Sequence, residues 1–583
     1  MSFSYLKDNI YKIKASYNFY YLKRDLLSGL SVALLALPQS IAYALLLGLP
    51  PQSGIIAAIF GSIFTSSFGH SRYLIAGPTN ATCLLLQAGT SQILFNHFNQ
   101  APDHLKSGIA LIIISQIILF VGLFQIIIGI LKLGRLTQFI SRSVMMGYLL
   151  GIALTILITQ SFNLLSISHP DGIFSLFGLT SRLISCLNEL NPLTLLIGFI
   201  GFLTLIFLRK MDKRIPRPLI MLALTSLVAV FFNQYIASKT PWSIPTVSAP
   251  YFDIKDLFGF HFSYFSSAMI HDILMISFAI TLLSIFELNS VTRLLSEKKG
   301  QHINTNRDIF GLGISNFFTS FFLGSLPVSG SPTRTSFNYH SGAKTRLSGV
   351  FCGFFMIVLL LISHSWVQYI PKSALAALLI VIAYELIDFK LLKICFRTTK
   401  RDASVLIVTC VACLFLQLDM ALFIGIALSL VLYLRLAANT IVLEYAFTEK
   451  GHFRPIDSEH KRLDSRIRII NMEGNLFFGS IDSLQRELED IIKNEEVRSI
   501  ILRFNNVHHL DASICHYLEL LAINLMKQGK SLYLSEVLET TADVIEGSTV
   551  WRALSCDYLY KKDFGSPISA TKKAYEHALS TLK

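Results

Sequence analysis

Apolar runs of bilayer-crossing length fill roughly the first three quarters of the chain, and two of them are broken by nearly the same polar phrase. The first is Gly77-Pro78-Thr79-Asn80-Ala81-Thr82; the second, about 250 residues later, is Gly330-Ser331-Pro332-Thr333-Arg334-Thr335. Proline suits the first turn of a helix, where its missing N–H would have had no partner, and a neighbouring Ser or Thr caps the remaining donors. Each phrase therefore predicts a helix that starts inside an apolar segment. Within hydrocarbon such a start is tolerated only where it lines a cavity or is buried in protein. A matching pair of interrupted segments in the two halves of a long membrane chain points to a ligand site between inverted repeats.

Of 583 residues, 52% are hydrophobic and 15% charged, and the apolar ones lie in blocks rather than at the amphipathic spacing of a soluble chain. The eight cysteines are scattered and give no disulfide framework. Cys410 and Cys413 form a C-x-x-C inside an apolar stretch with no second pair and no histidine, so they read as packed helix thiols rather than a metal or redox site. The net charge of +13 does not indicate nucleic acid, because Lys and Arg cluster between spans. The clusters are Lys7, Lys12, Lys14, Lys23 and Arg24; Arg209, Lys210, Lys213, Arg214 and Arg217; Arg293, Lys298, Lys299 and Arg307; and Lys390, Lys393, Arg397, Lys400 and Arg401. This is the positive-inside pattern. The first apolar run, 26–47, follows basic residues as a signal peptide would, but it is too long and lacks a small-residue cleavage site. No nucleotide-binding glycine loop, metal-ligand cluster or nucleophile–base pattern is found, so neither enzyme chemistry nor a cofactor or metal is expected.

Fourteen apolar segments can be counted between residues 28 and 440, the third (78–95) and tenth (331–340) being the interrupted ones. The first, third, fourth and fifth have counterparts in the eighth, tenth, eleventh and twelfth, which predicts two seven-segment repeats, 28–236 and 268–440. An odd number of spans per repeat inverts the second against the first. Residues 1–27, the C-terminus and the basic clusters then lie on the cytoplasmic side of a plasma or inner membrane. Beyond residue 440 the composition becomes that of a soluble domain. Residues 441–462, polar from 448 and containing Gly451 and Pro455, are expected to be a linker. In 463–583, strands near 466–471, 498–503 and 531–534 alternate with amphipathic helices near 480–494 and 513–527, which predicts a small α/β domain.

Several motifs carry a family resemblance. The run Leu37-Pro38-Gln39-Ser40-Ile41-Ala42-Tyr43-Ala44-Leu45, then Gly48-Leu49-Pro50-Pro51 and Gly69-His70-Ser71-Arg72, resembles the first-span signature of the SulP anion transporters. Gly342-Ala343-Lys344-Thr345 is similar to the same family's tenth-span region, and Val507-His508-His509-Leu510-Asp511-Ala512-Ser513 resembles the STAS domain that SulP members carry. The resemblance extends over nearly the whole chain. It implies a polytopic α-helical membrane protein of fourteen spans in two inverted repeats, with a core domain (spans one to four and eight to eleven) moving against a gate domain. It also implies a homodimer, a cytoplasmic STAS domain open to a protein partner, and a cargo drawn from sulfate, bicarbonate, halides, oxalate and C4-dicarboxylates.

Two helix N-termini meeting head to head each offer about half a positive charge, and Arg334 in the first turn of the second adds a full one. That suits an oxyanion. An arginine within the membrane costs at least ~2.5 to 3.5 kcal/mol if unpaired, which marks it as functional by default; the plainer alternative places it in a surface loop. By resemblance, Thr333 and Arg334 border the anion, and Gln39 and Tyr43 line the same pocket. Thr79, Asn80, Ala81 and Ser331 complete the candidate binding set. Thr79 stands where several relatives carry an aromatic or aliphatic residue, so with Asn80 it makes a more polar wall, suited to an oxygen-rich anion over a halide; alternatively, both residues merely cap the helix.

Glu287, within the apolar stretch 280–295, matches the acidic position of cation-coupled family members. Burial favours the neutral form of a carboxyl group, which suits proton binding and release, and protonation removes a negative charge beside the anion. Proton and anion should then bind with positive coupling, as symport requires. Sodium is the rival ion, but it needs several oxygen ligands: Val291, one turn on, offers none, which leaves Ser284, Ser329 and Thr333. A purely structural Glu287 would pair with Arg293 or another cation. In phosphorylatable soluble relatives the STAS loop reads Asp-Ser-Ser, and Ser513 keeps the acceptor position; the more ordinary role for it is a helix N-cap. The sequence thus points to proton-coupled movement of a sulfate-, bicarbonate- or C4-dicarboxylate-class anion. The alternatives are an uncoupled exchanger or channel, a nucleobase–proton symporter on the same fold, disfavoured by Arg334 and the STAS tail, and a non-transporting STAS regulator.

Overall fold

The computed structural model describes residues 18–582 apart from 135–139, 168–175, 212–214, 236–242, 248–257, 260–266, 300–303, 448–452, 457–463, 555–557 and isolated positions elsewhere. It divides into two units, 1–429 and 430–583.

The first unit is helical. In chain order the elements are α1 Phe19–Leu46, α2 Pro51–Phe68, the short strand β1 Ala76–Gly77, α3 Asn80–Phe98, α4 Asp103–Ile130, α5 Arg142–Leu165, α6 Leu176–Ser185, α7 Pro192–Leu208 and α8 Arg217–Tyr235. They continue with α9 Ser267–Lys299, α10 Thr305–Thr319, β2 Ser329–Gly330, α11 Pro332–His340, α12 Leu347–Val367, α13 Lys372–Leu386, α14 Phe389–Thr398, α15 Lys400–Phe415 and α16 Leu418–Ala437. Among the described residues, six helices (α1, α4, α5, α8, α9 and α16) are by themselves long and apolar enough to cross a membrane. Both interrupted segments begin helices as expected, at Asn80 and Pro332. The short helices α6 and α14 were not among the expected segments, because ten residues of mixed polarity fall below any spanning-length window.

Packing sorts these helices into two bundles. In one, α2 lies against α10 and α12, α4 against α9 and α10, and α1 against α2 and α12. In the other, α5 lies against α13 and α15, and α7 against α8 and α13. Glycines set the closest approaches near the middle of the first bundle. A Cβ on Gly54 of α2 would fall 1.9 Å from the Ser40 carbonyl oxygen of α1, and one on Gly330 would fall 2.8 Å from Leu288 Cα of α9.

Two carboxylates clamp the N-terminal and C-terminal halves of this bundle together. Asp308 of α10 accepts from His70 N (2.5 Å), Ser71 N (2.9 Å) and Ser71 Oγ (2.5 Å), while Asp25 of α1 accepts from Lys344 N (2.7 Å), Thr345 N (3.0 Å) and Thr345 Oγ1 (2.5 Å). In the Gly69-His70-Ser71-Arg72 and Gly342-Ala343-Lys344-Thr345 motifs, two backbone N–H groups each, those of His70 and Ser71 and of Lys344 and Thr345, are thus satisfied by a carboxylate from the opposite half of the chain.

The second unit holds a six-stranded sheet in the order β4-β3-β5-β6-β7-β8, from β3 Ile441–Phe447, β4 Phe453–Pro455, β5 Ile467–Glu473, β6 Ser499–Asn506, β7 Ser531–Val537 and β8 Leu559–Lys561. Strands β5 to β8 are parallel and β3 is antiparallel to both its neighbours. Its helices are α17 Ile481–Lys493, α18 Ala512–Lys527, α19 Glu539–Glu546, α20 Val550–Ala553 and α21 Ser569–Thr581. One face of the sheet buries Ile470, Leu502 and Leu534 with Leu484 and Leu518 of the helices; the other buries Ile469, Ile501 and Tyr533 against Ala574 and Ala578 of α21. The stretch 441–462, expected to be a linker, supplies β3 and β4. The apolar alternation of β3 places Phe447 in the second core, while the polarity of Arg454 and Pro455 hides β4. The rest of that linker, 448–452 and 457–462, lies outside the described residues. Ser513 is exposed in the first turn of α18, and the N-cap is Asp511 instead, whose carboxylate accepts from Ile514 N (2.9 Å) and Phe478 N (2.7 Å).

Candidate functional site

Each half-helix is preceded by two residues of strand, and the two strands pair with each other: Ala76 opposite Gly330 and Gly77 opposite Ser329, antiparallel. Ser331 N also donates to Ile75 O (3.2 Å), and Ile75 N donates to Thr335 Oγ1 (3.0 Å). This ladder brings the N-termini of α3 and α11 together and satisfies backbone groups that would otherwise be stranded in an apolar interior. The two starts differ in detail. Pro332 occupies the first turn of α11, and the N-cap Ser331 accepts from Arg334 N. Pro78 instead stands before the N-cap Thr79, whose side chain does not cap the helix.

Arg334 is buried, at 1% exposure, which excludes the surface-loop alternative. Its Nε donates to Gln39 Oε1 (3.2 Å) and its Nη2 to Ser40 Oγ (3.2 Å), both on α1, whereas Nη1 has no partner among the described residues. A Cβ on Gly77 would sit 1.9 Å from that Nη1, so only glycine at this β1 position leaves room for the guanidinium. Gly77→Ala is therefore expected to displace the Arg334 head group and cost about one charged hydrogen bond to an anion, ~1.5–3 kcal/mol, read as a weakened Kd in a calorimetric titration.

Glu287 of α9 is buried and accepts from Thr79 Oγ1 (2.9 Å) and from Ser329 Oγ, so one carboxylate ties the start of α3 to the strand before α11. The Thr79 hydroxyl thus serves Glu287 rather than the helix cap, and it is also in contact with Thr82 Oγ1 (2.9 Å). Tyr43 and Cys83 each lie within electrostatic reach of both Arg334 and Glu287. Arg293, the alternative partner, has its side chain outside the described residues. Ser284, one of the oxygens considered for sodium, donates to Thr281 O (3.0 Å) and accepts from Gln125 Nε2 (2.7 Å).

The remaining candidates fall around this junction. Asn80 is buried, and neither its Oδ1 nor its Nδ2 has a partner among the described residues. Gln39, Tyr43, Ala81 and Ser331 are buried, and Thr333, beside the buried Arg334, is exposed. Ser40 and Tyr148 were not singled out by sequence. Ser40 shares the guanidinium with its neighbour Gln39, the one signal that could have found it. Tyr148 of α5 is fully buried, its hydroxyl has no partner among the described residues, and it lies within electrostatic reach of Glu287, but nothing in its local sequence sets it apart from core aromatics.

The model of the sulfate permease family matches residues 22–409 and that of the STAS domain residues 460–552. Among curated relatives, a putative sulfate transporter of Bacillus subtilis, YvdB, is 26% identical over 85% of this chain and 88% of its own. A sodium-independent sulfate anion transporter of Bos taurus is 26% identical over 89% of this chain and 84% of its own. Among solved structures, the murine Slc26a9 anion transporter in its inward-facing state superposes with a TM-score of 0.84 at 16% identity, covering 100% of this chain and 95% of that one. The transmembrane domain of a cyanobacterial bicarbonate transporter, BicA, gives 0.58 at 21% identity, over 71% of this chain and 98% of that one.

Proposed function

Because the chain belongs to the sulfate permease family, we propose that it moves an inorganic oxyanion or small organic anion across the membrane by alternating access, with Glu287 carrying a coupled proton. Anion transport is the activity named for its relatives. The observation that carries the finer reading is Arg334 Nη1, a buried cationic donor without a partner among the described residues, where two helix N-termini are pinned together. A buried donor without a partner costs the full desolvation of the group, and an anion removes that cost. The unpartnered Asn80 amide beside the same junction offers a further donor, which favours an oxygen-rich cargo over a halide.

Proton coupling rests on Glu287. When deprotonated it places a second negative charge near the site; when protonated it removes that repulsion, so each ligand strengthens the other. Sodium is disfavoured by the commitment of Ser284 to Thr281 and Gln125, in keeping with the sodium independence named for the bovine relative. The fourteen-span count and both termini on the cytoplasmic side belong to this same reading, as does a homodimer.

Uptake of labelled sulfate, bicarbonate and succinate into proteoliposomes, with and without an inward acid gradient, tests it. One of these anions is expected to accumulate above its equilibrium level only when the gradient is present. Uptake that follows the anion gradient and ignores pH would replace symport by uncoupled exchange, and no uptake above protein-free liposomes would end the transport reading.

A further inference from the structure

Helix α14 joins α13 to α15 with almost no intervening chain: Asp388 is its N-cap, and Thr399 closes it and caps α15. Its position is therefore fixed at the ends of two apolar helices, where hydrocarbon gives way to water. One face packs inward, with Leu391, Leu392 and Cys395 against Met146, Leu150 and Leu406.

Among the described residues of this unit the opposite face is exposed, and its composition is unusual. At 100° per residue, Lys390, Lys393 and Arg397 fall in one narrow stripe. Phe389 and Phe396 border that stripe on one side and Ile394 on the other, and the three are 51%, 49% and 56% exposed. The cations are exposed and form no ion pair among the described residues, and Lys400 and Arg401 follow in the first turn of α15. The carboxylates that flank the helix, Asp388 and Asp402, are already engaged. Asp388 accepts from the backbone N of Lys390 and Leu391 (both 3.0 Å), and Asp402 accepts from Ser143 Oγ (2.8 Å) and Thr399 Oγ1 (2.7 Å).

We propose that this outer face of α14 is a binding surface for anionic phospholipid headgroups. A phosphate placed over the stripe meets Lys390, Lys393 and Arg397 together, while the acyl chains beside it cover Phe389, Phe396 and Ile394; neither water nor a free anion satisfies both halves of the face. Arginine and lysine in this setting keep their head groups in the polar layer and lay their stems along the hydrocarbon. Tyr384, at the end of α13, extends the aromatic edge, its ring 5.4 Å from that of Phe389. An acidic protein partner would match the cations but not the apolar borders at membrane level.

The test uses the full-length protein in nanodiscs of phosphatidylcholine, with and without phosphatidylglycerol, reading retained lipid by native mass spectrometry and Tm by fluorescence. Wild type is expected to retain phosphatidylglycerol several-fold above its bulk fraction and to gain Tm from it. The Lys390→Gln/Lys393→Gln/Arg397→Gln variant loses most of both effects, and the milder Lys393→Gln loses part, which keeps the test open should the triple variant fold poorly. Equal phosphatidylglycerol retention by wild type and Lys393→Gln together with the triple variant overturns the proposal. So does a change of oligomeric state with no lipid effect, which would assign the face to a second copy of the chain. A Tm gain of the same size from inorganic phosphate in detergent would also overturn it, since it would reduce the surface to a free-anion site.

Discussion

Arg334→Ala is expected to raise the Kd for the transported anion by about tenfold to a hundredfold, the equivalent of losing one charged hydrogen bond in a buried site. The protein should still fold. Among the described residues the guanidinium is held by the neutral acceptors Gln39 Oε1 and Ser40 Oγ, so its removal strands no counter-ion there and relieves the desolvation of a buried charge. Arg334→Lys should fall between the two, because an ammonium cannot donate to Gln39 and Ser40 in the guanidinium's planar fork while aiming a further N–H at a ligand. Calorimetric titration of the purified protein, with monodispersity by size exclusion as the folding control, measures both. Unchanged binding in a monodisperse Arg334→Ala would remove this residue from the site.

Glu287→Gln is expected to lower pH-gradient-driven accumulation by about tenfold, within the range of ordinary coupling free energies, while anion exchange at equal pH on both sides continues. The carboxamide oxygen can still accept from Thr79 Oγ1 or Ser329 Oγ, so the junction between the half-helices survives while the titratable proton is gone. The sign follows from the cycle. In wild type, acidifying the side from which the anion enters favours the proton-loaded state and raises uptake; in the Gln variant the pH profile of uptake flattens. Solid-supported membrane currents recorded across a pH series distinguish the two, and undiminished accumulation by Glu287→Gln would exclude it as the proton carrier.

Much of the site could be read before the structure because bilayer chemistry makes certain residues conspicuous. Pro-Thr phrases inside apolar runs are rare enough to mark helix starts, and these fell at Asn80 and Pro332. Arg334 and Glu287 stood out because a charge in such surroundings is expensive. What the sequence hid were features too short or too long-range for any periodic signal. Strands of two residues leave no alternation, so the β1–β2 ladder was invisible. The clamps from Asp25 and Asp308 span 319 and 238 residues to their first donors. Helix α14 hid for another reason: its cations read as an ordinary loop between spans, and only the packing of Leu391, Leu392 and Cys395 shows that they share a helix with an inward apolar face.

The paired segments also changed in meaning. From sequence, the first is a polar but neutral wall and the second the bearer of charge. The structure draws the partners of the charged groups from both halves of the chain. Arg334 of the second half is oriented by Gln39 and Ser40 of the first, and Glu287 of the second accepts from Thr79 of the first. Hydropathy, local helix chemistry and motif were enough for the membrane class, the two charged residues and the family. Which neutral groups hold those charges, and which polar atoms remain open among the described residues, came from tertiary contacts. Hydrogen-bond partnership depends on the crossing of α1, α9 and the two half-helices, where a few ångströms separate a satisfied atom from an open one, and no local pattern of residues encodes that distance.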